Sequence, residues 1–140
     1  MEVFGSRWTD YMNKLEKNWR AVITPADSIV IAGDISWALR LEEAREDLLF
    51  LDSLPGTKYI SKGNHDFWWS TGAKMQKLFD DCGIKTIKIL YNNAYKVENR
   101  IICGSRGWFT DRTLQKTVGD VEYDKIINRE TVRLKLALDE

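Results

Sequence analysis

The sequence is poor in several residue types, and each scarcity excludes something. Of its 140 residues, one is histidine, two are cysteine and two are proline. A metal site built mainly from imidazoles cannot be completed with a single histidine. Cys82 and Cys103 lie far apart, form no CxxC pair and each stand next to a glycine. We therefore expect two reduced structural thiols rather than a disulfide or a catalytic thiol.

Net charge and long hydrophobic runs are also lacking. Lysine plus arginine and aspartate plus glutamate number 21 each, so the formal net charge is zero. Binding to nucleic acid or to an anionic membrane would have to be local, because no overall positive field attracts either one. The start of the chain shows no secretory signal, and no apolar run approaches membrane-spanning length. We expect a single cytoplasmic domain over residues 1–140, with no membrane partner.

Helical and strand patterns alternate in the first half of the chain. The spacing of apolar residues predicts a helix from about Ser6 to Ala21 and another from about Leu41 to Leu54. Ser28 to Ala32 and Lys58 to Ser61 are short apolar runs, typical of parallel strands covered on both faces. This order predicts a right-handed βαβ crossover, in which the carboxyl ends of both strands lie side by side.

The second half begins with a helix and then changes character. Ser70 is the expected cap of a helix that ends at Cys82-Gly83. Three short strands are expected next, the last two as an antiparallel hairpin, followed by a final helix. They cover Thr86 to Leu90, Tyr95 to Val97, Arg100 to Cys103 and Val121 to Leu138. In the final helix the residues available for burial are Ile126, Ile127, Val132, Leu134 and Leu138.

Two motifs occur where the first two predicted strands end. Gly33-Asp34 follows the first strand, and Gly63-Asn64-His65-Asp66 follows the second. Ligands of open α/β sheets gather at the carboxyl ends of strands, where loops leave side chains free. The crossover would bring these motifs together, so they are the strongest candidates for a functional site.

The residue types in these motifs suit a site with two metal ions. The carboxylate of Asp34 can bridge two cations, and the carbonyl of Asn64 can ligate one without adding charge. A metal pair clamps a phosphate and lowers the pKa of a bound water. His65 could then donate a proton, while Asp66 caps the next turn or orients the imidazole ring. Gly33 and Gly63 would allow sharp turns and close approach of a substrate.

A simpler interpretation is that these are ordinary turn and cap residues at the ends of strands. That interpretation is adequate for Gly33-Asp34 alone. The two motifs occur together, however, each after an apolar strand and separated by one amphipathic helix. Their joint occurrence favours a functional origin.

These motifs resemble the GD and GNHD blocks of the calcineurin-like metallophosphoesterases. The resemblance is closer to a bacterial cytoplasmic branch with the blocks GDISWA and KGNHDFWW, here residues 33–38 and 62–69, and it extends to CGSRGW at 103–108. It implies that Asp34 bridges two metals, that Asn64 ligates the second metal and that His65 donates a proton or contacts phosphate. It also implies a four-layer αββα sandwich that hydrolyses phosphate mono- or diesters with a pair of Mn, Fe or Zn ions.

The sequence departs from the family at both ends. No DxH block precedes Asp34, and no GHxH block follows, because His65 is the only histidine. The chain therefore resembles the middle of the family domain, a partial α/β sandwich without the first strand and the C-terminal half. We expect this polypeptide alone to be an inactive fragment that binds a metal pair weakly or not at all.

Further candidates surround the two motifs. Arg106, in a glycine-rich loop, could clamp a phosphate, whereas Arg40 is more simply a solvated charge on a helix. The tryptophans near the strand ends could line a cleft or stack on bases, but burial between helices and sheet is the simpler explanation. These are Trp37, Trp68, Trp69 and Trp108. The alternative function is a non-catalytic module that binds phosphate or nucleic acid.

Overall fold

The structure, a computed structural model, describes residues 9–105 and 120–139, without the side chains of residues 120–122. Its helices are α1 (Tyr11–Val22), α2 (Arg45–Ser53), α3 (Gly72–Cys82) and α4 (Asp120–Asp139). Its strands are β1 (Ser28–Ile31), β2 (Thr57–Ile60), β3 (Ile87–Ile89), β4 (Asn93–Val97) and β5 (Arg100–Gly104). The expected mixed α/β class is confirmed.

The first three strands form one parallel sheet in the order β1-β2-β3, so that β2 lies in the middle. Ile31 of β1 pairs with Ile60 of β2, and Ile60 pairs with Ile89 of β3. The parallel pairing of β1 and β2 through α2 confirms the predicted βαβ topology. All three strands therefore end at the same edge of the sheet, which is called the carboxyl edge below.

The hydrophobic core lies on the sheet face that carries Ile31 and Ile60. Ile60 is fully buried and belongs to the same cluster as the inward-facing residues of α2 and α3. Those helical residues are Leu48, Leu51, Met75 and Phe79. The 3.6-residue period places the buried side chains of each helix on one face of that helix. Both apolar faces pack on the β-branched side chains of the sheet. Burying these faces is what orients both helices against the strands.

The opposite face of the sheet is partly covered by the β4–β5 hairpin. Tyr59 of β2 is buried there and its ring lies 5.2 Å from the ring of Tyr95 on β4. The hairpin is antiparallel, with Val97 paired to Arg100 across the turn, as predicted. Helix α4 packs against both of its strands.

The strand β1 is less covered than its sequence predicts. Ser28 is exposed and Val30, which pairs with the buried Tyr59, is 51% exposed. The prediction that β1 is covered on both faces was therefore wrong for the described part of the chain. The reason is geometric, because the hairpin covers the middle strand while β1 lies at the edge of the sheet.

Three predicted helix starts also need correction. Helix α1 begins at Tyr11, after a turn at the described residues 9 and 10, whereas the pattern predicted a start near Ser6. Residues 41–44 form turns and α2 begins only at Arg45, after Leu41 and Ala44 have already entered the core. The cap of α3 is Thr71 rather than Ser70, because the Thr71 side chain accepts a hydrogen bond from the Lys74 backbone N–H. The predicted end is confirmed, since Gly83 takes the left-handed conformation with φ 71°.

The predicted burial of helix α4 is confirmed only in part, since Ile126 and Ile127 are half-buried. Glu130 and Ala137 are its buried positions among the described side chains, while Val132, Leu134 and Leu138 are 44–65% exposed. The apolar residues surround the helix instead of forming one stripe, so only one narrow side can face the hairpin. Within the described residues, no helix is long and apolar enough to cross a membrane.

Candidate functional site

The two predicted motifs meet at the carboxyl edge of the sheet. Because Ile31 and Ile60 are paired, the chain segments that leave β1 and β2 run side by side beyond the strands. The Ser61 backbone N–H donates to the Ile31 carbonyl at 3.0 Å, which continues the pairing past the end of β2. The adjacency of Asp34 with residues 63–66, inferred from topology, is confirmed.

Glycine is required where the two segments approach each other. A Cβ atom on Gly33 would overlap the backbone of Gly63, and one on Gly63 would overlap the backbone and carboxylate of Asp34. Gly33 also has φ 108°, a conformation that side chains with a Cβ rarely adopt. These glycines therefore let the two strand ends approach each other.

The side chain of Asp66 connects the two segments on their buried side. Its side chain is fully buried, and Oδ2 accepts hydrogen bonds from the backbone N–H groups of Asp34 at 2.7 Å and Gly63 at 2.8 Å. Oδ1 accepts from the Ile35 backbone at 2.8 Å and from the Trp68 indole Nε1–H at 2.9 Å. These donors compensate for the cost of burying a charged group.

This role of Asp66 differs from the one predicted. Its carboxylate contacts backbone N–H groups and an indole, whereas the side-chain partner of His65 is Asp34. Asp66 thus holds the loops in register rather than orienting the imidazole. The sequence shows only that Asp66 follows the histidine, because Asp34 and Ile35, the partners that join it to the other loop, lie 32 and 31 residues earlier in the chain.

Asp34 and His65 form a contact on the exposed side of the loops. Oδ1 of Asp34 accepts from the His65 backbone N–H, and Oδ2 lies 3.0 Å from Nδ1 of the His65 ring. The hydrogen bonds from the His65 side chain and backbone lower the pKa of Asp34 below its ordinary value. Asp34 is therefore ionised at neutral pH. Asn64 is adjacent, with Nδ2 at 3.1 Å from both ring nitrogens.

The donor set fits part of a metal site. Asp34 and Asn64 provide oxygen atoms of the kind that divalent cations prefer, and both side chains are exposed. An ionised carboxylate keeps free lone pairs while it accepts from His65. However, no group of three or more His, Cys, Asp or Glu side chains suited to a metal ion occurs among residues 9–105 and 123–139. Among the described residues, Asp34 and Asn64 thus offer oxygen donors but do not make up a full coordination shell.

Aromatic side chains flank this site unevenly. Trp68 is 1% exposed and Trp69 is half-buried, so burial is confirmed as the explanation for Trp68. Trp37 is instead 76% exposed, and its ring stacks on His65 with the centroids 6.2 Å apart and the planes inclined by 27°. Phe67 is 64% exposed. For Trp37, the expectation of burial was wrong.

The segment around Trp37 is anchored by a residue that the sequence analysis did not single out. Ser36 is buried and donates from Oγ to the Asp47 carboxylate, while its Oγ accepts from the Ala38 backbone N–H at 3.1 Å. The sequence contains no local signal for this pair, since Asp47 lies on α2. The backbone on both sides of Trp37 is therefore held in place.

The arginine candidates have different outcomes. Arg40 is exposed, as expected, but it lies in a bend before α2 rather than on a helix. Arg106, the candidate for clamping phosphate, and Trp108 lie outside the described residues.

Comparisons with known proteins add nothing to this geometry, since no family model, curated protein or solved structure matches the chain.

Proposed function

We propose that the carboxyl edge belongs to a metal-dependent phosphoesterase that hydrolyses phosphate mono- or diesters. The observation that carries this proposal is the meeting of Asp34, Asn64 and His65 on two loops that the buried Asp66 joins by hydrogen bonds. Catalytic sites need such preorganised groups, because side chains must stay within a fraction of an ångström of the productive geometry. The resemblance of the two motifs to the calcineurin-like metallophosphoesterases supports the same function.

In this proposal Asp34 and Asn64 are metal ligands, and Asp34 bridges the two ions. Divalent cations, when bound, polarise a phosphate and lower the pKa of a bound water. The ionised Asp34 suits this role because its negative charge is retained at neutral pH. The proposal requires ligands in addition to these two residues.

His65 is proposed to donate the proton to the leaving oxygen of the ester. Since Asp34 is ionised, we assign the hydrogen to Nδ1, which donates to Oδ2. This bond fixes the plane of the ring and leaves Nε2 to face the substrate. Donation requires a second hydrogen, so the step starts from the imidazolium. Nε2–H gives its proton to the leaving oxygen as the phosphorus–oxygen bond breaks, the ring becomes neutral with its hydrogen on Nδ1, and solvent water restores the proton on Nε2. The backbone N–H of His65 also donates to Asp34, so that the ring and the carboxylate are positioned together.

The rest of the fold is consistent with the four-layer αββα arrangement that we propose for the whole domain. The helices α2 and α3 lie on one face of the sheet, and the hairpin that covers Tyr59 carries α4. We also propose a cytoplasmic location, in line with the branch that the motifs resemble.

Metal binding by the chain tests the proposal. Titration calorimetry with Mn²⁺ or Zn²⁺ should show weak binding that Asp34→Ala abolishes and that Asp124→Ala, a change of an exposed carboxylate on α4, leaves unchanged. The family resemblance further predicts in-frame DxH and GHxH blocks in the flanking coding DNA. Intact coding sequence that lacks both blocks would contradict the proposal.

Activity gives the second test. In a polypeptide that includes both blocks, turnover of bis(p-nitrophenyl) phosphate should require metal and should fall at least 100-fold with His65→Ala. The same loss is expected for Asp34→Ala, whereas Asp124→Ala should retain activity. Turnover that is indifferent to a chelator and to both substitutions would refute the assignment.

A second candidate function is a binding module without catalysis. The exposed rings of Trp37 and Phe67 beside the site favour it, because aromatic side chains in water suit stacking on bases. Ligand binding unaffected by a chelator, Asp34→Ala or His65→Ala would support this alternative. Metal-dependent turnover would exclude it.

A further inference from the structure

Trp37 is the exposed aromatic residue in direct contact with the proposed proton donor. Its side chain is 76% exposed, although tryptophan gains more free energy from burial than most residues. A single exposed apolar residue needs no explanation by itself. Trp37 differs because its ring stacks on the His65 ring at a centroid distance of 6.2 Å.

The backbone that carries Trp37 is held on both sides. Ser36 is 5% exposed and bonded to Asp47, and the Ala38 N–H donates back to Ser36 Oγ. The Ser36 backbone N–H also lies 3.4 Å from Oδ1 of Asp66. The Asp66 carboxylate, which joins the two loops, therefore also holds the backbone next to Trp37. This lowers the entropy cost of binding a ligand at the indole.

The geometry points to Trp37 as a specificity-determining residue that stacks on the nucleobase of a nucleoside phosphate ester bound at the carboxyl edge. This inference rests on the proposed function and names its substrate class. With the phosphate at Asp34, Asn64 and His65, the adjacent indole lies where the organic group of the ester would extend. An indole face suits a flat aromatic group, because every nucleobase presents a π-face that can stack on it.

The charge of the chain favours a small nucleotide over a nucleic-acid strand. A strand carries many phosphates, and proteins that bind one without sequence preference provide a positively charged groove. This chain has equal numbers of acidic and basic residues. A mononucleotide needs only one phosphate site and one stacking surface.

The test uses the indole N–H signals of the full chain in nuclear magnetic resonance, with Zn²⁺ present. Three probes are titrated: AMP, ribose 5-phosphate, which lacks the base, and adenosine, which lacks the phosphate. The Trp37 signal, identified by its loss in Trp37→Phe, should shift with AMP. AMP should bind on the order of 10-fold more tightly than ribose 5-phosphate, as expected for one stacked base.

Variants then locate the contact. Trp37→Ala should weaken AMP binding on the order of 10-fold and leave ribose 5-phosphate unchanged, and Trp37→Phe should restore most of the loss. The matched control is Leu39→Ala, which removes another exposed apolar side chain, 69% exposed, from the same segment. It should leave the affinity for AMP unchanged.

Two results would overturn the inference. Equal affinities for AMP and ribose 5-phosphate, or an affinity for AMP that Trp37→Ala does not change, would remove the stacking role of Trp37. A different result would contradict the proposed function, namely that neither a chelator nor Asp34→Ala changes the affinity for ribose 5-phosphate. If Trp37→Ala weakens AMP binding but ribose 5-phosphate binding does not respond to a chelator or to Asp34→Ala, the contact between Trp37 and the base is supported and the proposed metal site is refuted.

Discussion

At each end of the parallel sheet, an aspartate carboxylate joins two chain segments by hydrogen bonds, but the two ends differ in the groups that they expose. At the carboxyl edge, Asp66 accepts hydrogen bonds from the loops that follow β1 and β2. At the amino edge, Asp52, in the last turn of α2, accepts from the Lys85 and Thr86 backbone N–H groups and from the Thr86 hydroxyl. In both places a carboxylate joins segments that are distant in sequence.

The difference lies in what surrounds each carboxylate. At the amino edge, Lys58 is fully buried and donates to the Leu54 carbonyl at 2.6 Å, and Asp52 is half-buried. At the carboxyl edge, the charge of Asp66 is enclosed while Asp34, Asn64 and His65 remain exposed above it. The comparison teaches that the amino edge stabilises the fold, whereas the carboxyl edge also presents unburied chemical groups on a rigid base.

The largest expected effect is the loss of Asp66. Asp66→Ala leaves five N–H donors without their acceptor, and we expect the free energy of unfolding to fall by about 3–5 kcal/mol. Asp52→Ala, the matched change at the less buried amino edge, should cost about 1–2 kcal/mol. Urea unfolding measures both. Equal losses would contradict the distinction between the edges.

The close approach of the loops predicts the next effect. Gly33→Ala should cost about 2–3 kcal/mol, because the new Cβ overlaps the Gly63 backbone and φ is 108°. Gly72→Ala is the matched control: its Cβ meets no atom within 4 Å, and alanine favours the helix that begins there. Thermal unfolding should show a lower midpoint for the first variant only. Similar midpoints would show that the loops can separate at little cost.

The enclosed lysine of the amino edge predicts a smaller, pH-dependent effect. Burial lowers the pKa of Lys58, and the nearby Asp52 carboxylate opposes that shift. The folded state therefore binds fewer protons than the unfolded state at pH values just below the ordinary lysine pKa, so stability should rise with pH in that window. Urea midpoints of Lys58→Met should lack this rise relative to the wild type. The exposed Lys85→Met is the control and should keep it.

The smallest effect concerns Asp34 at the carboxyl edge. Because His65 lowers its pKa, Asp34 contributes stability above its unfolded pKa, and this contribution is lost as the pH falls through the folded value. Carbon NMR of the carboxyl group should place the midpoint of its titration below the ordinary value, and His65→Ala should raise it. An unchanged midpoint in His65→Ala would show that a group other than the His65 side chain lowers the pKa of Asp34. The exposure of the pair keeps the effect on unfolding small.

Local patterns in the sequence were sufficient for much of the fold. The run Ser28 to Ala32 predicted β1, and the Cys82-Gly83 pair predicted the end of α3. The predicted cap of α3 was wrong by one residue. Ser70 and Thr71 both offer a hydroxyl, and only the backbone geometry decides which of them caps the helix. The exposure of Val30 was missed because covering an edge strand depends on a hairpin more than sixty residues later in the chain.

The sequence by itself determined the order of the elements and, through the βαβ rule, that Asp34 and His65 meet at one edge of a sheet. Only the tertiary structure decided that Asp66 is buried beneath that edge, that Asp34 is the partner of His65, and that Trp37 stands exposed against it. The physical reason is the range of the interactions. Strand and helix patterns arise from neighbouring residues, whereas burial and hydrogen-bond partners depend on which distant segments the packed core brings together.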